Sequence, residues 1–166
     1  MMKHVWSESE FLWLTPITEK WEQIRDYALS KENKFNPYKA AEVHNGLWLI
    51  YGLRNTLNKW LMPDHTMDPI FNLLPFKPFI AAFSCLNPGA EIYPHEGYTT
   101  DIIRFHLGLK CSSSSIMILG ENEYTWKEGK WFIFNDMITH SVKNTGTEKR
   151  FVLLMDFYRK DIGLDY

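Results

Sequence analysis

Between residues 79 and 158 the chain reads as about eight short strand candidates, each ended by turn chemistry, and this regularity limits the fold more than any other feature. The candidates are 79–86, 90–93, 102–109, 115–119, 124–126, 130–134, 139–143 and 150–158. Asn87-Pro88-Gly89, Gly97, Gly120, Glu128-Gly129 and Asn144-Thr145-Gly146 separate them. These residue types preset or permit the dihedrals that tight turns need. Many short, evenly spaced strands predict a β-sandwich or a jelly-roll barrel rather than an alternating α/β fold.

The first half leans helical. Thr15 is a candidate N-cap with Pro16 at the first helical position. Ile17, Trp21, Ile24 and Ala28 then recur at helical spacing among charged residues, which predicts one amphipathic helix over 16–30. A strand candidate follows at 47–51, and two short helices are predicted over 55–61 and 68–74. With neither an internal repeat nor a linker, one domain is expected over 1–166. Its helix-rich part, 10–75, would buttress one sheet of a jelly-roll core over 79–158.

The 166 residues are 45% hydrophobic and 23% charged, as in ordinary globular proteins, with a net charge of −2. That balance offers no broad cationic surface to a nucleic-acid backbone or an anionic membrane. The apolar run 151–155 is far shorter than the roughly 20 residues that cross a bilayer. Glu8 and Glu10 interrupt the region where a secretory signal needs apolar residues, so a soluble cytoplasmic protein is expected. Cys85 and Cys111 read as free thiols with structural roles, since no motif marks either as a nucleophile. Phosphate-loop, dinucleotide, zincin, hydrolase-elbow and paired-cysteine zinc signatures do not occur.

Strand alternation places Arg104 and His106 on one face of 102–109, opposite Ile103, Phe105 and Leu107. In 150–158, Arg150 and Asp156 share a face opposite Phe151, Leu153, Met155 and Phe157. On pattern alone those polar faces meet either solvent or the inside of a liganded barrel. Of the six histidines, His4, His44 and His65 lie in polar or terminal stretches and are expected at the surface. His95 sits in Tyr93-Pro94-His95-Glu96-Gly97, His140 follows 45 residues later, and Arg150 ten beyond that.

This constellation resembles Fe(II)/2-oxoglutarate dioxygenases. They hold iron with a His in an H-x-[DE] loop and a distant second His, and place an arginine about ten residues on against the cosubstrate's distal carboxylate. Here position 97 is glycine, which coordinates nothing. The segments FSCLNPGAEIYPHEGYTTDIIRFHLGLK (83–110) and GKWFIFNDMITHSVKNTGTEKRFVLLMDFY (129–158) resemble the aspartyl/asparaginyl β-hydroxylase family, which has H-x-G at this place. The helix around Trp21-Glu22-Gln23-Ile24-Arg25 also looks like that family's N-terminal helix. The similarity runs over roughly 10–158 and is weak over about 31–78.

The resemblance implies a double-stranded β-helix fold and roles position by position. His95 and His140 would ligate Fe(II), with water in the place of a carboxylate. Arg150 and Ser84 would bind the distal carboxylate of 2-oxoglutarate, while His106 and Arg104 would face its other end and an acidic group on the substrate. Glu96, Asp101 and Asp136 are the carboxylates that could restore a third ligand instead. Asn135 and Asp136 read equally as groups supporting the ligands or as a plain turn. Arg54 reads as a surface residue opening a helix, with substrate contact as the alternative. The implied activity uses O₂ to hydroxylate an unactivated C–H of an Asp/Asn-like amino acid, a peptide or another small soluble substrate. The competing readings are a non-catalytic jelly-roll binding module and a halogenase that takes chloride in place of water.

Overall fold

Two antiparallel sheets face one another in the computed structural model, which describes residues 3–55 and 64–164. In chain order the strands are β1 (Val5–Ser7), β2 (Asn36–Pro37), β3 (Trp48–Asn55), β4 (Ile80–Leu86), β5 (Glu91–His95), β6 (Ile102–Lys110), β7 (Ser115–Leu119), β8 (Asn122–Thr125), β9 (Trp131–Phe134), β10 (His140–Asn144) and β11 (Arg150–Tyr158). The larger sheet runs β1-β9-β6-β11-β4-β3-β2 and the smaller β5-β10-β7-β8. Of the two architectures that strand spacing allows, this is the jelly roll, the double-stranded β-helix that the family resemblance implies.

Alternation along β6 and β11 divides the apolar residues into two cores. The outward set, Ile103, Phe105, Phe151, Leu153 and Met155, packs against Ile17 of α1 (Thr15–Glu19) and Ile24 and Ala28 of α2 (Trp21–Ser30). The inward set fills the space between the sheets and includes Trp48, Ile92, Met117, Phe134, Val142 and Val152. Helices therefore cover one face of the large sheet, and its polar positions turn toward the other sheet. Ser84, His106, Arg150 and Asp156 are all buried there. Of the two environments that strand pattern left open, these residues occupy the barrel interior.

Several elements depart from expectation. The helix expected over 16–30 breaks at Lys20 (φ −106°, ψ 14°), whose N–H bonds back to Ile17 O. Periodicity records which face is buried, not whether the backbone ladder is continuous. The helix expected over 68–74 is only α3 (Asp68–Phe71), with Pro69 in its first turn. The one expected over 55–61 lies outside the described residues apart from Asn55, which ends β3. Because β3 continues past Tyr51, Arg54 sits in a strand and donates through Nε to Pro78 O at 2.6 Å, so it does not open a helix. His44, expected at the surface, is 5% exposed. Its Nε2 bonds Tyr38 O at 2.9 Å and its Nδ1 accepts from Gly46 N–H at 3.0 Å, so both ring nitrogens are satisfied without water. β1 and β2 are too short to show an alternation in sequence. Among the described residues no helix is long and apolar enough to cross a membrane.

Candidate active site

A register shift between β5 and β10 builds the centre of the site. His140 pairs with His95 and Val142 with Ile92, so two steps on β10 answer three on β5. The extra residue falls at Tyr93-Pro94, where proline has no N–H to lose from the ladder. Without that bulge, alternation from the inward-facing Ile92 would turn His95 outward. With it, His95 and His140 face one another at 4.3 Å between ring centroids, their planes 54° apart.

Both rings are held the same way. His95 Nδ1 lies 2.8 Å from Tyr93 O, and His140 Nδ1 lies 2.8 Å from Ile138 O. A carbonyl only accepts, so Nδ1 carries the proton in each ring and Nε2 keeps a free lone pair. Burial, with His95 and Arg104 nearby, pushes the His140 imidazole down to about 4, which keeps it neutral. Two imidazoles that both turn Nε2 away from their carbonyl bonds suit a divalent transition metal. Among the described residues no third His, Cys, Asp or Glu completes a metal cage with them.

A cavity runs inward from this pair. His95, His140, Ser84, Arg104, His106 and Arg150 all line it, so the structure brings together every residue singled out as a ligand or cosubstrate contact. Arg150 lies at the inner end, 2% exposed, with one terminal nitrogen donating to Ser84 Oγ at 3.0 Å. Ser84 Oγ also accepts from Trp48 Nε1 at 2.9 Å, which leaves the hydroxyl proton free to be donated onward. Among the described residues Arg150 forms no ion pair, its Nε has no partner, and burial lowers its guanidinium to about 10. Its guanidinium carbon lies 4.4 Å from the centroid of the Trp126 ring, a compensating cation–π contact. A desolvated cation–π contact supplies about 2 kcal/mol, against a burial penalty of several kcal/mol for a lone charge. The shortfall is what a bound carboxylate would offset.

His106 stands across from this end, 7% exposed. Burial, Arg150 and Arg104 hold its imidazole well below its ordinary value, so it is neutral. Arg104 is engaged differently from Arg150. Its Nε and one terminal nitrogen each donate at 2.8 Å to the two oxygens of Asp156, its cross-strand partner, and Nη1 lies 3.6 Å from Asp136 Oδ2. Burial would lower this guanidinium, but Asp156 outweighs it and raises the net value.

Asp136 is 1% exposed, and among the described residues neither carboxylate oxygen has a hydrogen-bond partner. Burial raises its pKa. The carboxyl group packs on Gly97, where a Cβ would meet Cγ, Oδ1 and Oδ2 all at 2.7 Å. The glycine of His95-Glu96-Gly97 is thus the one residue that leaves room for Asp136. Of the other candidate carboxylates, Glu96 accepts from Thr139 Oγ1 at 3.0 Å and Asp101 precedes β6 at the exposed edge. Cys85 and Cys111 are free, and burial raises both thiols to about 11, which suits structural roles.

Sequence reasoning missed Trp48 and Trp126 as neighbours of the site and Asp156 as the partner of Arg104. Asp156 was visible as sharing a face with Arg150, but its pairing depends on the β6–β11 register. Trp126 lies just past β8, where no alternation reports its direction.

The family profile described as Aspartyl/Asparaginyl beta-hydroxylase matches residues 18–160. The mouse protein "Aspartyl/asparaginyl beta-hydroxylase" is 33% identical over 81 residues, which is 48% of this chain and 11% of that protein. "Ornithine lipid ester-linked acyl 2-hydroxylase" of Rhizobium tropici is 34% identical over 82 residues, 48% of this chain and 29% of that protein. The matches therefore span well under half the length of these relatives. A Pseudomonas putida prolyl-4-hydroxylase structure superposes with a TM-score of 0.58 at 14% identity, over 85% of this chain and 86% of that one, which is a likeness of fold. With its profile match across most of the sequence, the chain belongs to the aspartyl/asparaginyl β-hydroxylase family.

Proposed function

We propose that this protein is an Fe(II)- and 2-oxoglutarate-dependent hydroxylase acting on an unactivated C–H of an Asp/Asn-like amino acid, a peptide or another small soluble substrate. The observation that carries the reading is Arg150, a buried guanidinium without a carboxylate, sharing a cavity with two imidazoles whose Nε2 lone pairs are free. A buried cation at one end and a metal-binding pair at the other fit a dicarboxylate that chelates a metal.

His95 and His140 would hold the iron through Nε2, each ring fixed by its carbonyl bond. Arg150 and Ser84 would bind the distal carboxylate, and His106 would donate to the other end of the cosubstrate. Asp136, whose carboxyl group packs on Gly97, would accept hydrogen bonds from a water held by the metal. Arg104, held by Asp156 at the cavity lining, would face an acidic group of the substrate. When bound, iron and 2-oxoglutarate supply the oxidising chemistry: O₂ and 2-oxoglutarate are consumed, succinate and CO₂ leave, and one oxygen atom enters the substrate. The protein's part is to orient both organic molecules and to keep bulk water from the cavity.

The test is succinate release from 2-oxoglutarate in air with Fe(II), for the wild type and for His95→Ala, His140→Ala and Arg150→Ala. Loss in both histidine variants and a raised 2-oxoglutarate requirement in Arg150→Ala are expected. Equal activity in all three variants would sink the assignment.

A further inference from the structure

Two of the side chains read as cosubstrate contacts, His106 and Arg150, meet on a single indole. Trp126 Nε1 lies 3.2 Å from His106 Nδ1 in a buried contact, and the same ring sits under the Arg150 guanidinium. We propose that Trp126 is the positioning residue that fixes His106 as its Nε2–H tautomer and seats Arg150, so that both present hydrogen-bond donors to a bound dicarboxylate. This rests on reading the cavity as the 2-oxoglutarate site.

The tautomer follows from donor and acceptor capacity. An indole N–H only donates, so His106 Nδ1 must accept, and the ring's remaining proton is on Nε2. That nitrogen is buried and has no partner among the described residues, although His106 lines the cavity. A buried donor without an acceptor is a disfavoured arrangement that a carboxylate oxygen relieves. Phe at position 126 would keep a ring under Arg150 but leave His106 free to place its proton on Nδ1, turning Nε2 into an acceptor facing an anion.

The placement of Trp126 is built into the backbone. Gly108, two residues after His106, accepts at O from Gly129 N–H at 2.9 Å and donates through N–H to Lys130 O at 3.0 Å. A Cβ at Gly108 would fall 2.3 Å from the Lys127 carbonyl oxygen, so only glycine allows this approach. The segment after Trp126 is therefore locked to the strand that carries His106. Trp126 itself is only 3% exposed.

The test uses the whole chain and two variants, Trp126→Phe and Trp126→Leu, with circular dichroism to establish that each is folded. Long-range ¹H–¹⁵N correlation spectra of the metal-free protein read the His106 tautomer, assigned by its absence in His106→Gln. The wild type is expected to show Nε2–H alone, and Trp126→Phe a mixture or Nδ1–H. The Kd for 2-oxoglutarate, measured with Mn(II) in place of iron, is expected to rise roughly tenfold in Trp126→Phe. It should rise several-fold further in Trp126→Leu, where the ring under Arg150 is also gone. In turnover, the KM for 2-oxoglutarate should rise while kcat at saturation stays within about twofold, a split that a partly unfolded variant does not give. An unchanged tautomer and Kd in Trp126→Phe, with the wild type binding 2-oxoglutarate, would overturn this inference and leave the functional reading standing. A wild type that does not bind 2-oxoglutarate would overturn the functional reading, and this inference with it.

Discussion

The Asp136 carboxyl group occupies the space into which any side chain at position 97 would project: a Cβ on Gly97 would stand 2.7 Å from each of its three terminal atoms. Gly97 N–H also donates to the Asp136 carbonyl at 2.7 Å, so the backbone cannot readily draw back. The missing carboxylate after His95 and the buried carboxylate before His140 are thus two sides of one packing arrangement.

Gly97→Ala should therefore destabilise the protein by about 1–3 kcal/mol, the usual range for overpacking, and should lower iron-dependent turnover. Gly97→Asp should do the same rather than restore a three-ligand centre. The check is a double-mutant cycle by thermal melting. Once Asp136→Ala has emptied the space, adding Gly97→Ala should have little further effect. Additive losses would show that the contact is not the cause.

Arg150 separates ligand binding from stability. Arg150→Met removes a buried charge that has no ionic partner, so the ligand-free protein should melt at the same temperature or higher. The same change should raise the 2-oxoglutarate Kd by about a hundredfold, the order expected for a lost charge-assisted carboxylate contact. Melting without ligand, paired with a titration of 2-oxoglutarate, reads both effects.

Arg104 predicts the opposite sign. Asp156→Ala leaves a part-buried guanidinium with, among the described residues, only the longer carboxylate contact to Asp136, and should lower stability by about 2–4 kcal/mol in urea unfolding. Asp156→Asn, which keeps one acceptor, should lose less.

The thiols should be inert near neutrality. Cys85 and Cys111 rise from 9.0 to about 11 in the folded protein, so little thiolate forms at pH 8 and alkylation by iodoacetamide should be slow until the pH approaches 11. The folded state prefers the protonated thiol. The stability this contributes is full below about pH 9 and is lost as the pH rises toward 11. Cys85→Ala with Cys111→Ala should retain turnover, and its loss would reopen a nucleophilic role.

Much of the jelly roll was legible because β6 and β11 are long strands whose polar residues fall on one face, and the turns between the later strands carry Gly, Pro and Asn. Both strand starts and both apolar faces could be read directly. The helix break at Lys20 was not legible, since the apolar stripe passes across it without interruption. The motif residues at 95, 140 and 150 could be named, but what surrounds them could not. The β5 bulge that turns His95 inward, the Asp156 partner of Arg104 and the Asp136–Gly97 contact all depend on register between strands distant in sequence. His44 was misread for a related reason: its neighbours are polar in sequence, but Tyr38 and Trp48 enclose it in space.

The most direct measurement is an anaerobic titration of the protein with Fe(II) and 2-oxoglutarate, followed through the weak visible charge-transfer band of the metal chelate, with oxygen then admitted and succinate assayed. A band that saturates at one equivalent, is lost in His95→Ala and His140→Ala, and is followed by succinate release is the predicted result. Correctly folded protein that gives neither band nor succinate would contradict the account and favour a jelly roll that binds without catalysing.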